Sequence, residues 1–330
     1  MYNYNGDTMK VGILGSGAYG LALSHILLKN KVDVVVWTPS EEECNFLNKK
    51  RTSNKLDNYK ISKELVITNE LEKAIKDKDL IVIAVPAFAF SETIVKAKNF
   101  IKKEQVLLIA TKGIEQNTCL FLSDILRNYL KNPYAVISGP TFAKDIIKDS
   151  QIGFSLATKS KKADIIVRKC FENKFTKFRT TKDVVGIEIC GSIKNVMAIA
   201  SGILEGMQVS DSTRALFLTE SMNDIKELID ALGGKKTSIL SFAGFGDILM
   251  TCTSQNSRNF SFGFLIGANK TQKEIDEYKK NNTIEGLYTL KSIHKLVRKK
   301  KVKMPIINLI NDIINNNKDK EELLKFLITK

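Results

Sequence analysis

Histidine is nearly absent from this chain: His25 and His294 are the two among 330 residues. With so few, no His/Cys constellation of metal-ligand spacing can be assembled, and the reading is that no metal is bound. The cysteines, Cys44, Cys119, Cys170, Cys190 and Cys252, are odd in number, scattered and free of any C-x-x-C pair. That excludes a disulfide framework and fits a reducing compartment. Long apolar runs are missing as well. The longest, residues 80–90, is too short to span a bilayer and is broken by Pro86, so no membrane insertion is expected. Residues 1–10 are polar and hold no apolar core of a signal peptide. The expected setting is the cytoplasm.

What is present describes an ordinary globular chain. Apolar residues make up 43% and charged residues 26%, which argues against a disordered or collagen-like protein. A length of 330 residues exceeds what one hydrophobic core usually serves, so two domains are expected. The net charge is +15, and summed charge attracts polyanions whether or not a site exists. The lysines are spread along the chain, however, and the densest cluster is Arg298-Lys299-Lys300-Lys301. A nucleic-acid footprint is concentrated on one element, so these read as solvated lysines, with no specific nucleic-acid partner.

Along the chain, strand-like runs at residues 10–14, 32–37, 80–85, 106–110 and 135–138 alternate with helix-like intervals, and further β-like pieces fall at 153–157 and 177–180. Alternation of this kind implies parallel pairing with right-handed crossovers, hence an α/β Rossmann-type, doubly wound, mostly parallel sheet. Near Gly186 the texture changes. Helical periodicity runs through 187–204, 212–232, 247–253, 260–266, 286–300 and 306–315. The expected division is a dinucleotide-binding domain over 1–185, with 1–8 as an extra N-terminal segment, and an all-helical second domain over 186–330.

The first chemistry-bearing motif is Gly15-Ser16-Gly17-Ala18-Tyr19-Gly20, a G-x-G-x-x-G between a strand and a helix. Its glycines let backbone approach a pyrophosphate, whose charge the helix N-terminus favours. The second half of that fingerprint is missing. The next strand ends Trp37-Thr38-Pro39-Ser40, with Asp33 at its beginning, Glu41 slightly too late and no Arg nearby. The choice between NAD and NADP therefore stays open. His25, on the first helix, reads as a packing residue, and His294 lies on a lysine-rich amphipathic helix; neither is placed as a proton carrier.

The better proton carrier is Lys194, on the helix that opens the second domain. Cys190 and Gly191 lie one turn before it and Met197 and Ala198 one turn after. Three of those four are small, so a small substrate could approach the ammonium group. The surrounding isoleucines and valine imply burial, which lowers a lysine pKa toward working range. One end of an interdomain salt bridge fits the spacing equally well. Asp247, after Gly244-Phe245-Gly246, is placed as an N-cap. Ser257-Arg258-Asn259 stands at a helix start, where a guanidinium and free N–H groups could clamp a phosphate. Gly139-Pro140-Thr141-Phe142-Ala143 and Lys112-Gly113 each follow a strand, at the carboxyl edge where open α/β sheets bind ligands.

Taken in order, these motifs resemble the bacterial-type NAD(P)-dependent glycerol-3-phosphate dehydrogenases, over nearly the whole chain from Met9. Thr111-Lys112-Gly113-Ile114-Glu115, Thr251-Cys252-Thr253 and Ile284-Glu285-Gly286 also carry the resemblance. It implies a Rossmann-type domain joined to a helical domain like that of 6-phosphogluconate dehydrogenase, as a homodimer. It further implies reduction of dihydroxyacetone phosphate to sn-glycerol 3-phosphate, which supplies glycerophospholipid synthesis and links lipid with carbohydrate metabolism. By motif position, Lys194 would be the acid/base. Lys112, Gly139, Thr141, Lys194, Asp247, Ser257, Arg258 and Asn259 would contact substrate. Gly15, Gly17, Ala18, Tyr19, Gly20, Lys112, Ala143, Arg258, Thr283 and Glu285 would line the cofactor path. Tyr19 stands where family members often carry Trp, and Cys190 where a Gly is common. Two other readings are a β-hydroxyacid or 6-phosphogluconate-type dehydrogenase and a basic, non-enzymatic polyanion-binding protein.

Overall fold

A computed structural model describes residues 8–329; the expected extra segment at 1–8 lies outside them apart from Thr8. The chain forms two compact units. The first contains residues up to Thr111 together with Leu122–Ile137 and Thr141–Val184, and the second contains Lys112–Phe121, Ser138–Pro140 and the chain from Val185 onward.

The first unit is built on the strands β1 (Lys10–Leu14), β2 (Asp33–Trp37), β3 (Thr52–Ser53), β4 (Leu56–Lys60), β5 (Val66–Thr68), β6 (Leu80–Ile83), β7 (Val106–Ile109), β8 (Tyr134–Ser138), β9 (Ile152–Ala157) and β10 (Thr176–Thr181). Eight of them form one sheet in the order β10-β9-β8-β7-β6-β1-β2-β5, with parallel pairing of β1 to β2 and β6, and of β6 to β7. This is the doubly wound sheet that the alternation predicts. Its central strands read LIVI and VLLI and are buried at every residue, because helices cover both faces of a parallel sheet. β10, at the edge, instead exposes alternate residues. The chain enters at β1, winds outward to β5, then returns past β1 to β6. That reversal, between β1 and β6, is where open α/β folds bind ligands.

Residues 52–68 hold elements that the apolar pattern does not predict. β3 and β4 pair antiparallel as a separate two-stranded ribbon, and β5 is only three residues long. None offers an apolar run long enough to register as a strand.

The second unit is helical throughout its described residues after Val184, apart from turns and loops. Its central helix, Val184–Gly206, is long and apolar enough to cross a membrane by composition, yet 94% of its most apolar window is buried inside the protein. The hydropathy is that of a core helix. It crosses the helix Arg258–Gly267 with backbones in contact: a Cβ on Gly263 would lie 1.9 Å from the Ile199 carbonyl oxygen, and one on Gly202 2.0 Å from that of Phe260. Only hydrogen fits at these positions. We expect Gly263→Val to lower stability by about 1–3 kcal/mol through overpacking, measured as a fall in the denaturant midpoint at unchanged slope. An unshifted midpoint would mean that the helices can separate at little cost. The helix Gln272–Asn281, missed by periodicity, buries no residue and starts with a capping box between Thr271 and Glu274.

Candidate active site

In the first unit the glycine motif forms the turn from β1 into the helix Ala18–Lys29. Gly15 has a φ of +121°, and a Cβ there would meet the backbone of Ala84, just past β6, at 2.7 Å. Gly15 therefore sits at the reversal point of the sheet and has to be glycine. A Cβ on Gly20 would strike the Gly15 carbonyl oxygen at 2.0 Å, whereas nothing lies within 4 Å of a Cβ on Gly17. The helix begins at Gly17 with no side-chain cap and no acidic residue in its first turn. With open space beside Gly17 and no carboxylate in its first turn, this helix start fits a dinucleotide pyrophosphate. Nearby, the Tyr19 hydroxyl and Thr141 Oγ1 are 3.0 Å apart, and Ala143 opens the short helix that follows. At the end of β2, Glu43 is engaged by Thr38 and Lys55.

In the second unit four of the expected residues converge. Asp247 is fully buried (0% exposed) and stands between two ammonium groups: Lys194 Nζ lies 2.6 Å from Oδ1 and Lys112 Nζ 2.8 Å from Oδ2. Lys112 also donates to the Gly139 carbonyl at 3.4 Å, and Ser138 Oγ to Asp247 at 3.5 Å. Asp247 is not the N-cap that the sequence suggests. A π-helical turn, Phe242–Gly246, runs directly into the helix Asp247–Cys252, so Gly246 takes the cap position and frees the carboxylate to turn inward. Burial pushes the Asp247 carboxyl up, but Lys112 and Lys194 together outweigh it and hold it below the ordinary carboxylate range.

Lys194 is 7% exposed. Burial pulls its ammonium below the usual lysine range; Asp247 draws it back up, and Lys112 opposes that. Its ion pair belongs to the second unit, which replaces the interdomain bridge of the sequence reading. A Cβ at Gly191 would meet Ser138 Oγ at 2.8 Å, so at this one small neighbour the space is filled by the chain itself. Lys194 Nζ also donates to Thr251 Oγ1 at 3.2 Å. An ammonium has three N–H donors, and Asp247 and Thr251 engage two of them.

Beside this group, Ser257 caps the helix Arg258–Gly267 by accepting from the Phe260 N–H. Arg258 is exposed, and Asn259 is buried. The Asn259 amide donates to Asn195 Oδ1 at 3.0 Å, and its oxygen accepts from the Gly286 N–H at 2.8 Å. Asn195 in turn donates to Glu285 at 3.3 Å, while Thr283 is exposed at the preceding loop. Motif reading gave no role to Asn195, Thr251 or Ser138. The available signal was spacing: Asn195 adjoins Lys194, and Thr251 follows Asp247 by one helical turn.

A parallel sheet with an uncapped glycine turn at its reversal point, together with a helical unit holding a buried lysine–carboxylate centre, defines an NAD(P)-dependent dehydrogenase. The family described as NAD-dependent glycerol-3-phosphate dehydrogenase matches in both parts, its N-terminus over residues 10–164 and its C-terminus over residues 183–325. The chain belongs to that family. It is 32% identical to a glycerol-3-phosphate dehydrogenase [NAD(P)+] of Fusobacterium nucleatum, over 98% of this chain and 97% of that one. With the enzyme of the same name from Carboxydothermus hydrogenoformans it shares 34% identity, over 93% and 92% of the two chains. The crystal structure of glycerol-3-phosphate dehydrogenase from Coxiella burnetii superposes with a TM-score of 0.92 at 28% identity, covering 98% of this chain and 99% of that one. These matches favour neither the carboxylate-substrate reading nor the polyanion-binding reading.

Proposed function

We propose that this chain interconverts dihydroxyacetone phosphate and sn-glycerol 3-phosphate, with Lys194 as the general acid in reduction and the general base in oxidation. The observation that carries this role is the Lys194 ammonium: buried, oriented by Asp247 and Thr251, and left with one N–H for a substrate oxygen. Bound NAD(P)H supplies the hydride that reduces the keto carbon. Lys194 stabilises the charge developing on that oxygen and then delivers a proton to it. Asp247 fixes the direction of the ammonium and, by its charge, favours its protonated form against burial. Lys112 balances the second Asp247 oxygen and, with Gly139 and Thr141, borders the substrate.

The substrate phosphate falls to Arg258, with the free N–H groups at the helix start that Ser257 caps. Asn259 contributes through its backbone, since its side chain already bonds Asn195 and Gly286. Holding this remote group converts binding energy into alignment at the reacting carbon. The first turn of the helix Ala18–Lys29, from Gly15 through Gly20, takes the cofactor pyrophosphate; Tyr19, Lys112, Ala143, Arg258, Thr283 and Glu285 would line the rest of its path. The division into a dinucleotide-binding and a substrate domain near residue 185, the cytoplasmic setting, the homodimer and the supply of glycerophospholipid synthesis belong to the same proposal.

An absorbance assay with dihydroxyacetone phosphate and each reduced cofactor tests the reaction and the coenzyme together; no oxidation of either would refute it. Arg258→Ala is expected to raise KM for dihydroxyacetone phosphate by about 10- to 100-fold, the value of a hydrogen bond to a charged group. An unchanged KM would remove Arg258 from the phosphate site.

A further inference from the structure

A concavity of about 650 Å³ lies wholly within the first unit. It sits at the C-terminal end of the helix Ala18–Lys29, whose N-terminus begins the glycine turn. Eleven residues at 1.5 Å per residue separate the two ends by about 16 Å, so the concavity is no part of the phosphate cradle.

Its walls come from three parts of the chain held by one polar network. His25 Nε2 lies 3.0 Å from Asp149 Oδ1, and Lys29 Nζ 2.6 Å from Oδ2. Burial raises the Asp149 carboxyl, but its bonds to Lys29 and His25 prevail and leave it lower than an ordinary aspartate. The carboxylate therefore only accepts, so Nε2 donates to it. The Tyr59 hydroxyl lies 3.4 Å from Nδ1; burial first, then Asp149, push it up to about 12, so it stays protonated. His25 thus packs edge-on against the Tyr59 ring and is also bonded to Asp149, tying the helix to β4 and the Asp149 turn.

The lining divides by character. Tyr59 is buried at 7% exposure, and Leu28 and Ile147 are half-buried, giving an apolar interior. Lys29, Lys60 and Lys148 are exposed and mark the mouth. Lys29 is neutralised by Asp149, whereas no carboxylate among the described residues pairs with Lys60 or Lys148. Two uncompensated cations over an apolar interior suit an amphiphilic anion, and the volume is that of a small-molecule pocket.

We infer that this pocket binds a small soluble phosphomonoester with an apolar body, the phosphate between Lys60 and Lys148 and the body against Leu28, Ile147 and the Tyr59 ring. The inference is independent of the catalytic reading. Its test is calorimetric titration of the full-length protein with octyl phosphate below its micellar concentration. Wild type and Arg258→Ala should both bind at one saturable site, which separates the pocket from the substrate site. Lys60→Glu/Lys148→Glu should weaken binding at least tenfold with kcat and KM unchanged, and inorganic phosphate alone should bind at least tenfold more weakly than octyl phosphate. The charge-matched control Lys291→Glu/Lys295→Glu, on exposed positions of the helix Glu285–Lys299, should bind as wild type does. Four results would each overturn the inference: no binding to wild type, undiminished binding by Lys60→Glu/Lys148→Glu, an equal loss in the control, or loss of the site in Arg258→Ala.

Discussion

Lys194→Met lowers kcat for dihydroxyacetone phosphate reduction by about 10²–10⁴-fold, the span of positioned acid catalysis, while cofactor affinity stays nearly as it was. Methionine keeps the length and apolar fit of the lysine stem and removes the proton donor. Asp247 is left with Lys112 as its partner, so the carboxylate is not orphaned and the protein should fold. The pH dependence follows from the direction of the Lys194 shift. Burial lowers its ammonium below the ordinary lysine range, so reduction should decline as pH rises through a value lower than a free lysine would give, and oxidation should climb across the same window. Linkage gives the matching stability trend. A folded-state pKa below the unfolded one penalises folding while the group is protonated, so wild type gains stability as pH rises through that window and Lys194→Met does not. A variant that keeps most of its turnover, or the alkaline limb of wild type, would take Lys194 out of the proton transfer.

Asp247→Asn should be the most destabilising single change in this region. Two buried ammonium groups lose their shared counter-charge, and breaking a buried pair from one side costs about 3–5 kcal/mol. The folded carboxyl is held below the ordinary range, so its stabilisation is present above about pH 4 and is lost as pH falls through the depressed folded value. Urea titrations of both proteins should therefore differ most at neutral pH and converge in acid. Activity reports separately on positioning. Asp247 raises the Lys194 pKa against burial, so in the variant the alkaline decline of reduction should move to lower pH. A neutral stability change, with the decline unmoved, would make the carboxylate a bystander.

The sheet was legible because its strands are buried on both sides and announce themselves as unbroken apolar runs such as residues 80–83 and 106–109. The ribbon of β3 and β4 was not, since its pairing depends on partners and not on local pattern. In the site, Lys194 and Arg258 could be singled out from the chemistry of their neighbours. The inward turn of Asp247 could not, because a π-helical turn ahead of a helix leaves no compositional mark that a capping rule would read. Nor could the filling of the space above Gly191 by Ser138, a contact between residues 53 positions apart in sequence.

The segments Lys112–Phe121 and Ser138–Pro140 group with the helical unit although both are flanked by chain that belongs to the sheet. A dissected protein starting at Val185 would consequently lack Lys112, and one oxygen of Asp247 would lose the partner that lies 2.8 Å away in the whole chain. Neither half can be borrowed intact for a chimaera by a single cut. Grafting this helical unit onto a foreign nucleotide-binding sheet would require transplanting two loops along with it.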